Sequence, residues 1–396
     1  MPSHATWTGD DPVATDVPAT TSDTLGRTTV LPRVADDGPE VVQRGSGPRF
    51  DELTELGRGG LGVVLQARDR DIGRLVAIKQ LRDDRRSRGA VLRFAEEVRT
   101  VGALDHPNIV PVHDVGVDAA GSPYFVMKHV RGRTLADIIE ALRTGDPEEH
   151  AHFTFSRRIE IFRKVLEAVG FAHERGVIHR DLKPENIMVG THGEVHVLDW
   201  GIAQRRGAVE LAGDDEGEAR VTETRAGQVM GTPAYMSPEQ ARGEAVDARS
   251  DIYSLGVVLH ELLGLQHYLH DVSGLDEMLK AVQERSAPRL GLRRVAGQHA
   301  VPPQYSWLAN DALAKSADQR IGSVAEWLER LDGLAEGDVP VQCPFTLQRH
   351  WVGKLTQAAD RHPFLLAGLL VAGTGGGLAL VGGAVVLAFV AGVVLI

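Results

Sequence analysis

The chain has 396 residues, 43% of them hydrophobic and 24% charged, which is enough apolar material for one large or two ordinary domains with a real core. Against 54 Asp and Glu stand 43 Lys and Arg, and the net charge of -11 excludes the basic surface expected of a protein that lives on nucleic acid. Cys343 is the only cysteine, so no internal disulfide can form and the soluble part needs no oxidising compartment.

Residues 1–48 are rich in Thr, Asp, Pro and Ala. They have too few large apolar side chains to offset the entropy of ordering, so a disordered tail is expected, and they contain no apolar signal-peptide core. Order is expected from near Phe50. The run Gly57-Arg58-Gly59-Gly60-Leu61-Gly62-Val63-Val64 is followed by the turn Asp71-Ile72-Gly73 and the β-rich stretch Leu75-Val76-Ala77-Ile78-Lys79. A G-x-G-x-x-G spacing also occurs in dinucleotide-binding folds, where the glycines open a helix and an acidic residue follows about 20 positions on. Here β-branched residues flank the glycines on the downstream side, which predicts a β-meander instead. Gly57, Gly59 and Gly62 would let backbone amides approach phosphate groups without a Cβ in the way.

After a basic stretch, Arg82 to Arg93, helical spacing runs from Phe94 to Leu104, with Phe94, Val98, Val101 and Leu104 on one face. Strands are expected around Val112–Val117 and Tyr124–Met127. A short helix follows over Thr134–Arg143, then a polar loop opening at Gly145-Asp146-Pro147, then a long amphipathic helix over Ser156–Glu174.

The densest chemistry comes next, in Ile178-His179-Arg180-Asp181-Leu182-Lys183-Pro184-Glu185-Asn186-Ile187. Asp181 can accept a proton from a hydroxyl nucleophile, Lys183 can neutralise a moving phosphoryl group, and Asn186 can hold a hard cation. Downstream stand Val197-Leu198-Asp199-Trp200-Gly201, the polar and acidic stretch Gln204–Met230, and Ser237-Pro238-Glu239. A buried-looking helix over Asp247–Leu263 and the run Leu313-Ala314-Lys315-Ser316-Ala317-Asp318-Gln319-Arg320 complete the series.

These motifs, in this order over roughly residues 50–334, resemble the bacterial-type (Hanks-type) serine/threonine protein kinases. The pattern H-R-D-L-x-x-x-N resembles their catalytic loop, and Asp-Trp-Gly resembles their Asp-Phe-Gly with Trp in place of Phe. The resemblance implies an α+β, two-lobed fold: a β-rich N-lobe with one helix over 49–127, a hinge at 128–130 and a mainly helical C-lobe over 131–334, with ATP between the lobes. It assigns catalysis to Asp181, Lys183, Lys79 and Glu97, with adjacent Glu96 as the alternative partner of Lys79. Nucleotide binding falls to Leu56 through Val64 of the glycine run, with Ala77, Lys79, Met127 and the backbone of Lys128 and Val130. Mg2+ falls to Asn186 and Asp199. Asp251 is expected to bind the catalytic-loop backbone, and Arg320 to pair with Glu239. Arg180 is the type of residue that reads a phosphate on the Gln204–Met230 segment, at Thr222 or Thr224, whereas Thr232 is expected to contact Asp181 and Lys183. The Ser-Ala in place of the usual Asp-Pro before Arg320, and the stretch His267–Gln304, depart from the family's pattern and leave the substrate-docking surface undefined. A scaffold of kinase fold without transfer activity is the alternative reading, but such proteins usually lack one of Lys79, Asp181 or Asp199, and all three are present.

Residues 335–362 read as a juxtamembrane linker carrying Arg349, Lys354 and Arg361. From Phe364 to Ile396 run 33 residues without a charge, more than the ~20 that span a bilayer. Either Leu378–Ile396 or a longer tilted helix within 363–396 is expected to be a single-pass anchor at the cell membrane, with the kinase domain cytoplasmic. The expected partners are protein substrates bearing Ser or Thr, the bilayer, and a second copy in a homodimer that would allow autophosphorylation.

Overall fold

The computed structural model describes residues 48–60, 62–200, 204–205, 222–224, 228–230, 233–290 and 297–336. The expected N-terminal tail, Leu61, Gly201, Thr232, most of the linker and the predicted span lie outside the described residues. The chain divides into two compact units, one built from residues up to Val91 with His113–His129, the other from Leu92–Val112 with the residues from Val130 on.

The smaller unit is a five-stranded sheet of β1 (Phe50–Arg58), β2 (Gly62–Asp69), β3 (Arg74–Leu81), β4 (Val112–Val117) and β5 (Pro123–Lys128), in the order β1-β2-β3-β5-β4. The glycine run closes the β1–β2 turn with a bond from Gly59 N–H to Gly62 O of 2.8 Å. At the β2–β3 turn Gly73 takes φ +74°, a left-handed conformation that glycine adopts without Cβ strain. Antiparallel register aligns Leu65, Ile78 and Val126 across three strands. Because strand side chains alternate between faces, this row lies on the core side, where Phe50, Ala67, Val76 and Tyr124 join it. Arg49 ties the entry of β1 down, donating to Asp69 at 2.9 Å and to Asp114 at 2.8 Å.

The first helix, α1 (Arg88–Gly102), begins inside the basic stretch, earlier than the apolar spacing predicted. Ser87 accounts for the start, its Oγ accepting from Ala90 N–H at 3.2 Å as an N-cap does. Leu104 lies past the helix end yet is buried. From Leu92 on, the segment through Val112 groups with the larger unit. Val101, Leu104 and Ile109 join that unit's core, and Asn108 stitches the segment to residues 195–197 through Val197 N–H to Asn108 O (2.8 Å) and Asn108 Nδ2 to Val195 O (2.9 Å).

In the larger unit β6 (Gly132–Thr134) leads into α2 (Leu135–Arg143), started by a capping box in which Thr134 and Asp137 bond each other's backbone N–H. A helix, α3 (Pro147–His152), stands where a polar loop was expected. Asp146 caps it and Pro147 sits at its first position, a start signal present in the sequence. Then come α4 (Phe155–Glu174), β7 (Val177–Ile178), β8 (Ile187–Gly190) and β9 (Val195–Val197), with β6, β8 and β9 forming one sheet in that order. Short strands β10 (Gln204–Arg205), β11 (Thr222–Thr224) and β12 (Gln228–Met230) follow, β10 pairing with β7 and β11 with β12.

The last helices are α5 (Pro238–Ala241), α6 (Ala248–Gly264), α7 (Leu275–Glu284), α8 (Pro303–Ala312) and α9 (Val324–Ala335). The axis of this unit is α6, buried at every residue from Ser250 to His260 and so dry on all its sides there, as a central helix is. It approaches α8 so closely that a Cβ at Gly256 would lie 2.9 Å from that of Ala312. On the other side α4 buries Ile161, Phe162, Val165 and Val169, and Phe162 meets Trp327 of α9 edge-on at 5.3 Å. Among the described residues no helix is long and apolar enough to cross a membrane.

Candidate active site

One face of the small unit's sheet groups four of the residues assigned from the sequence. Val64 pairs with Lys79, and Ala77 with Met127, so all four side chains share the face opposite the row of Leu65, Ile78 and Val126. Lys79 sits at mid-sheet, between β2 and β5, and Lys128 closes the register opposite Val76. The three spaced glycines are not equivalent. A Cβ at Gly62 would lie 2.8 Å from Gln80 O, whereas Gly57 has open space and Gly59 only an ordinary contact. Gly62 is thus required by the fold itself, whereas a Cβ at Gly57 or Gly59 would clash with nothing in the protein. Leu56 and Arg58 are exposed on β1, the latter bound to Glu55 at 2.6 Å, and Val63 is half-buried.

The larger unit holds the remaining assigned residues. Glu97 on α1 is 4% exposed, a burial that demands a polar or charged partner. Glu96 instead faces solvent beside Arg99, at 3.7 Å. The sequence-predicted catalytic cluster comes together around one carboxylate. Lys183 Nζ donates to Asp181 Oδ2 at 2.7 Å, and Asn186 Nδ2 donates to the Asp181 carbonyl at 2.8 Å and to its Oδ2 at 3.2 Å.

Asp251, in the first turn of α6, explains why this loop holds its shape. Its carboxylate accepts from His179 N–H at 2.8 Å, from Arg180 N–H at 2.9 Å and from His173 Nε2 at 2.7 Å. Burial alone would raise its pKa, but the His173 bond, the nearby histidines and the backbone donors outweigh it and hold the carboxyl below the usual range. Arg180 takes φ +68° between these anchors. Gln240 Nε2 adds a bond to the Arg180 carbonyl at 2.9 Å, a contact that no sequence signal announced.

Asp199 ends the next strand connection, tied to the same loop by Leu198 N–H to Asn186 O at 2.8 Å. Magnesium prefers hard oxygen ligands and takes few from protein when phosphates supply the rest. The donor set fits: the Asn186 amide nitrogen is committed to Asp181, which leaves its Oδ1 as the ligand atom, and Asp199 offers an exposed carboxylate residue.

Below the cluster, Arg320 and Glu239 form a two-pronged bridge, Nη1 to Oε1 and Nη2 to Oε2, both at 2.7 Å, as the sequence predicted. A further carboxylate, the half-buried Glu261, went unnoticed in the sequence because it lies in the apolar run of α6. Tyr235 donates its hydroxyl to Glu261. Burial pushes the Glu261 carboxyl up to about 7, with the Tyr235 bond opposing and the nearby Glu185 charge reinforcing.

A strand-rich small unit and a helical large one, with these motifs in this order, are the two lobes of the protein kinase fold. The sequence profile of the protein kinase domain matches residues 50–330, and the chain belongs to that family. The serine/threonine-protein kinase PknB of Mycobacterium leprae is 43% identical over 297 residues, which are 74% of this chain and 44% of the relative. PknB of Mycolicibacterium smegmatis is 41% identical over 296 residues, 73% of this chain and 43% of the relative. The probable serine/threonine-protein kinase SCO3848 of Streptomyces coelicolor is 36% identical over 296 residues, 74% and 40% of the two chains. The chain thus spans less than half the length of these relatives.

Proposed function

We propose that the chain transfers the γ-phosphoryl group of magnesium-bound ATP to serine and threonine hydroxyls of proteins. The observation that carries this reading is the Asp181–Lys183–Asn186 cluster, with its backbone pinned by the buried Asp251. Asp181 orients the acceptor hydroxyl and takes its proton, and Lys183, already at the carboxylate, neutralises charge gathering on the transferred group. Lys79, with Glu97 as its partner, positions the α and β phosphates, and the backbone of the glycine run covers them. Asn186 and Asp199 are the residues that would hold magnesium, which would offset the charge of the phosphates.

Phosphate transfer from γ-labelled ATP, measured for residues 1–362 beside Asp181→Asn, tests the reading. Phosphoserine or phosphothreonine should form with the parent, and the variant should be slower by roughly two to four orders of magnitude while still binding ATP. Equal rates would overturn it.

We further infer that the charge-free stretch within 363–396 anchors the chain in a bilayer, with Arg349, Lys354 and Arg361 beside it on the cytoplasmic side. Autophosphorylation on Thr222 or Thr224, read by Arg180, is the proposed activating step. Alanine at both positions should sharply lower transfer to an added protein substrate, and unchanged transfer would remove that step.

A further inference from the structure

The residue beside the metal-binding Asp199 is a tryptophan, and its ring nitrogen is put to use. Asp199 takes φ +61°, a left-handed conformation that is strained for a non-glycine residue. Such a conformation persists only where neighbours over-determine it. On its N-terminal side the neighbours belong to the catalytic loop. Asp181 N–H donates to His179 Nδ1 at 3.3 Å, which leaves the proton on Nε2, and Nε2 donates to the Leu198 carbonyl at 3.0 Å. On its C-terminal side stands Trp200, fully buried, with its ring 4.5 Å from the His179 ring at 52°. The Trp200 indole Nε1–H reaches back over Asp199 to the Val197 carbonyl at 3.4 Å. The bond is long, but it closes a loop from residue 200 to residue 197 around the strained position, and a phenylalanine here could not make it.

Trp327 gives an internal comparison. It is equally buried, yet its indole nitrogen has no hydrogen-bond partner among the described residues. Burial in this unit does not of itself turn an indole N–H onto a carbonyl, and at position 200 the geometry does so next to the carboxylate that the chemistry needs.

We propose that the Trp200 indole N–H is a latch on Asp199, holding the carboxylate in its metal-binding position before magnesium and nucleotide arrive. Trp200 is then a positioning residue for phosphoryl transfer: it acts through Asp199 and touches neither nucleotide nor substrate. The inference rests on the reading of Asp199 as a magnesium ligand. The bonds named here all come from residues 179–200.

The test is a set of binding measurements on the full chain, read by calorimetry for ATP with Mg2+ and for ATP in EDTA. The parent is compared with a chain carrying β-(3-benzothienyl)alanine at position 200, which keeps the shape of the indole and replaces N–H by sulfur. Trp200→Phe and Trp327→Phe complete the set. The sulfur analogue should weaken Mg2+·ATP binding roughly two- to tenfold, the worth of one modest hydrogen bond, and leave metal-free ATP unchanged. Trp200→Phe should behave in the same way. Trp327→Phe should lower the thermal midpoint and move neither affinity. A sulfur analogue that binds Mg2+·ATP like the parent, or that loses both affinities equally, would overturn the latch. A parent that binds ATP no better with Mg2+ than without would remove the reading of Asp199 itself, a separate failure that takes the latch with it.

Discussion

Arg320 and Glu239 lie 81 positions apart and meet inside the large unit, where the guanidinium also donates to the carbonyls of Arg249 (2.8 Å) and Ala314 (2.8 Å). Every strong donor direction is thereby used, the condition under which a buried ion pair is stabilising as it stands and costly to break on one side. Arg320→Ala should lower the free energy of unfolding by about 3–5 kcal/mol, measured as a shift of the urea midpoint. A loss below about 1 kcal/mol would place the bridge among exposed pairs. The pH dependence follows from Glu239. Burial would raise its pKa, but Arg320 and Ser250 outweigh burial and bring it down to about 2. Its folded value is thus below the unfolded one of about 4.3, so the stabilisation is complete above roughly pH 4.5 and is lost as pH falls towards 2. In Arg320→Ala this acid limb should flatten. The pairing was legible because both residues sit in recognisable motifs. Glu261 and Gln240 were not, since their roles come from what the chain folds against them.

At the scale of elements, the glycine turn separates two requirements that the sequence merges. In Gly62→Ala the new methyl meets the Gln80 carbonyl, a backbone atom that cannot move without disturbing the β2–β3 pairing. The cost should be about 1–3 kcal/mol in thermal or urea unfolding. Gly57→Ala meets nothing within 4 Å and should leave stability within about 0.5 kcal/mol while weakening ATP binding. Equal effects of the two substitutions on stability would contradict this assignment. Lys315 illustrates an element-level contact with no sequence signature. Its ammonium donates to the Val282 carbonyl at 2.6 Å, one of the carbonyls that the end of α7 leaves without an intrahelical partner. Burial, with Arg320 nearby, pushes that amine down to about 8.

At the scale of the whole molecule, the residues proposed for transfer fall in both units: Lys79 is on the sheet of one, and Asp181, Asn186, Asp199 and Glu97 are in the other. The proposed anchor adds a third part, argued from hydropathy alone. The full chain should sediment with membranes and need detergent for release, while residues 1–362 should remain in the supernatant. A full chain that stays soluble without detergent would overturn the anchor.

Motifs that depend on short spacing could be read directly: the catalytic-loop run, the β-meander and the helices beginning near Thr134 and Asp247 are local in the chain, and local sterics and hydrogen bonding decide them. Asp146-Pro147 was just as local and was overlooked, which cost the helix α3. What only the tertiary structure decided were matters of burial and long-range contact. It separated Glu97 from Glu96 by burying one and exposing the other. It buried Val101, Leu104 and Ile109 in the core of the larger unit. It also aimed the Trp200 indole at Val197. Spacing fixes which groups can be neighbours along a strand, turn or helix, whereas the side of a helix that goes dry, and the partner it meets there, depend on residues tens to hundreds of positions away.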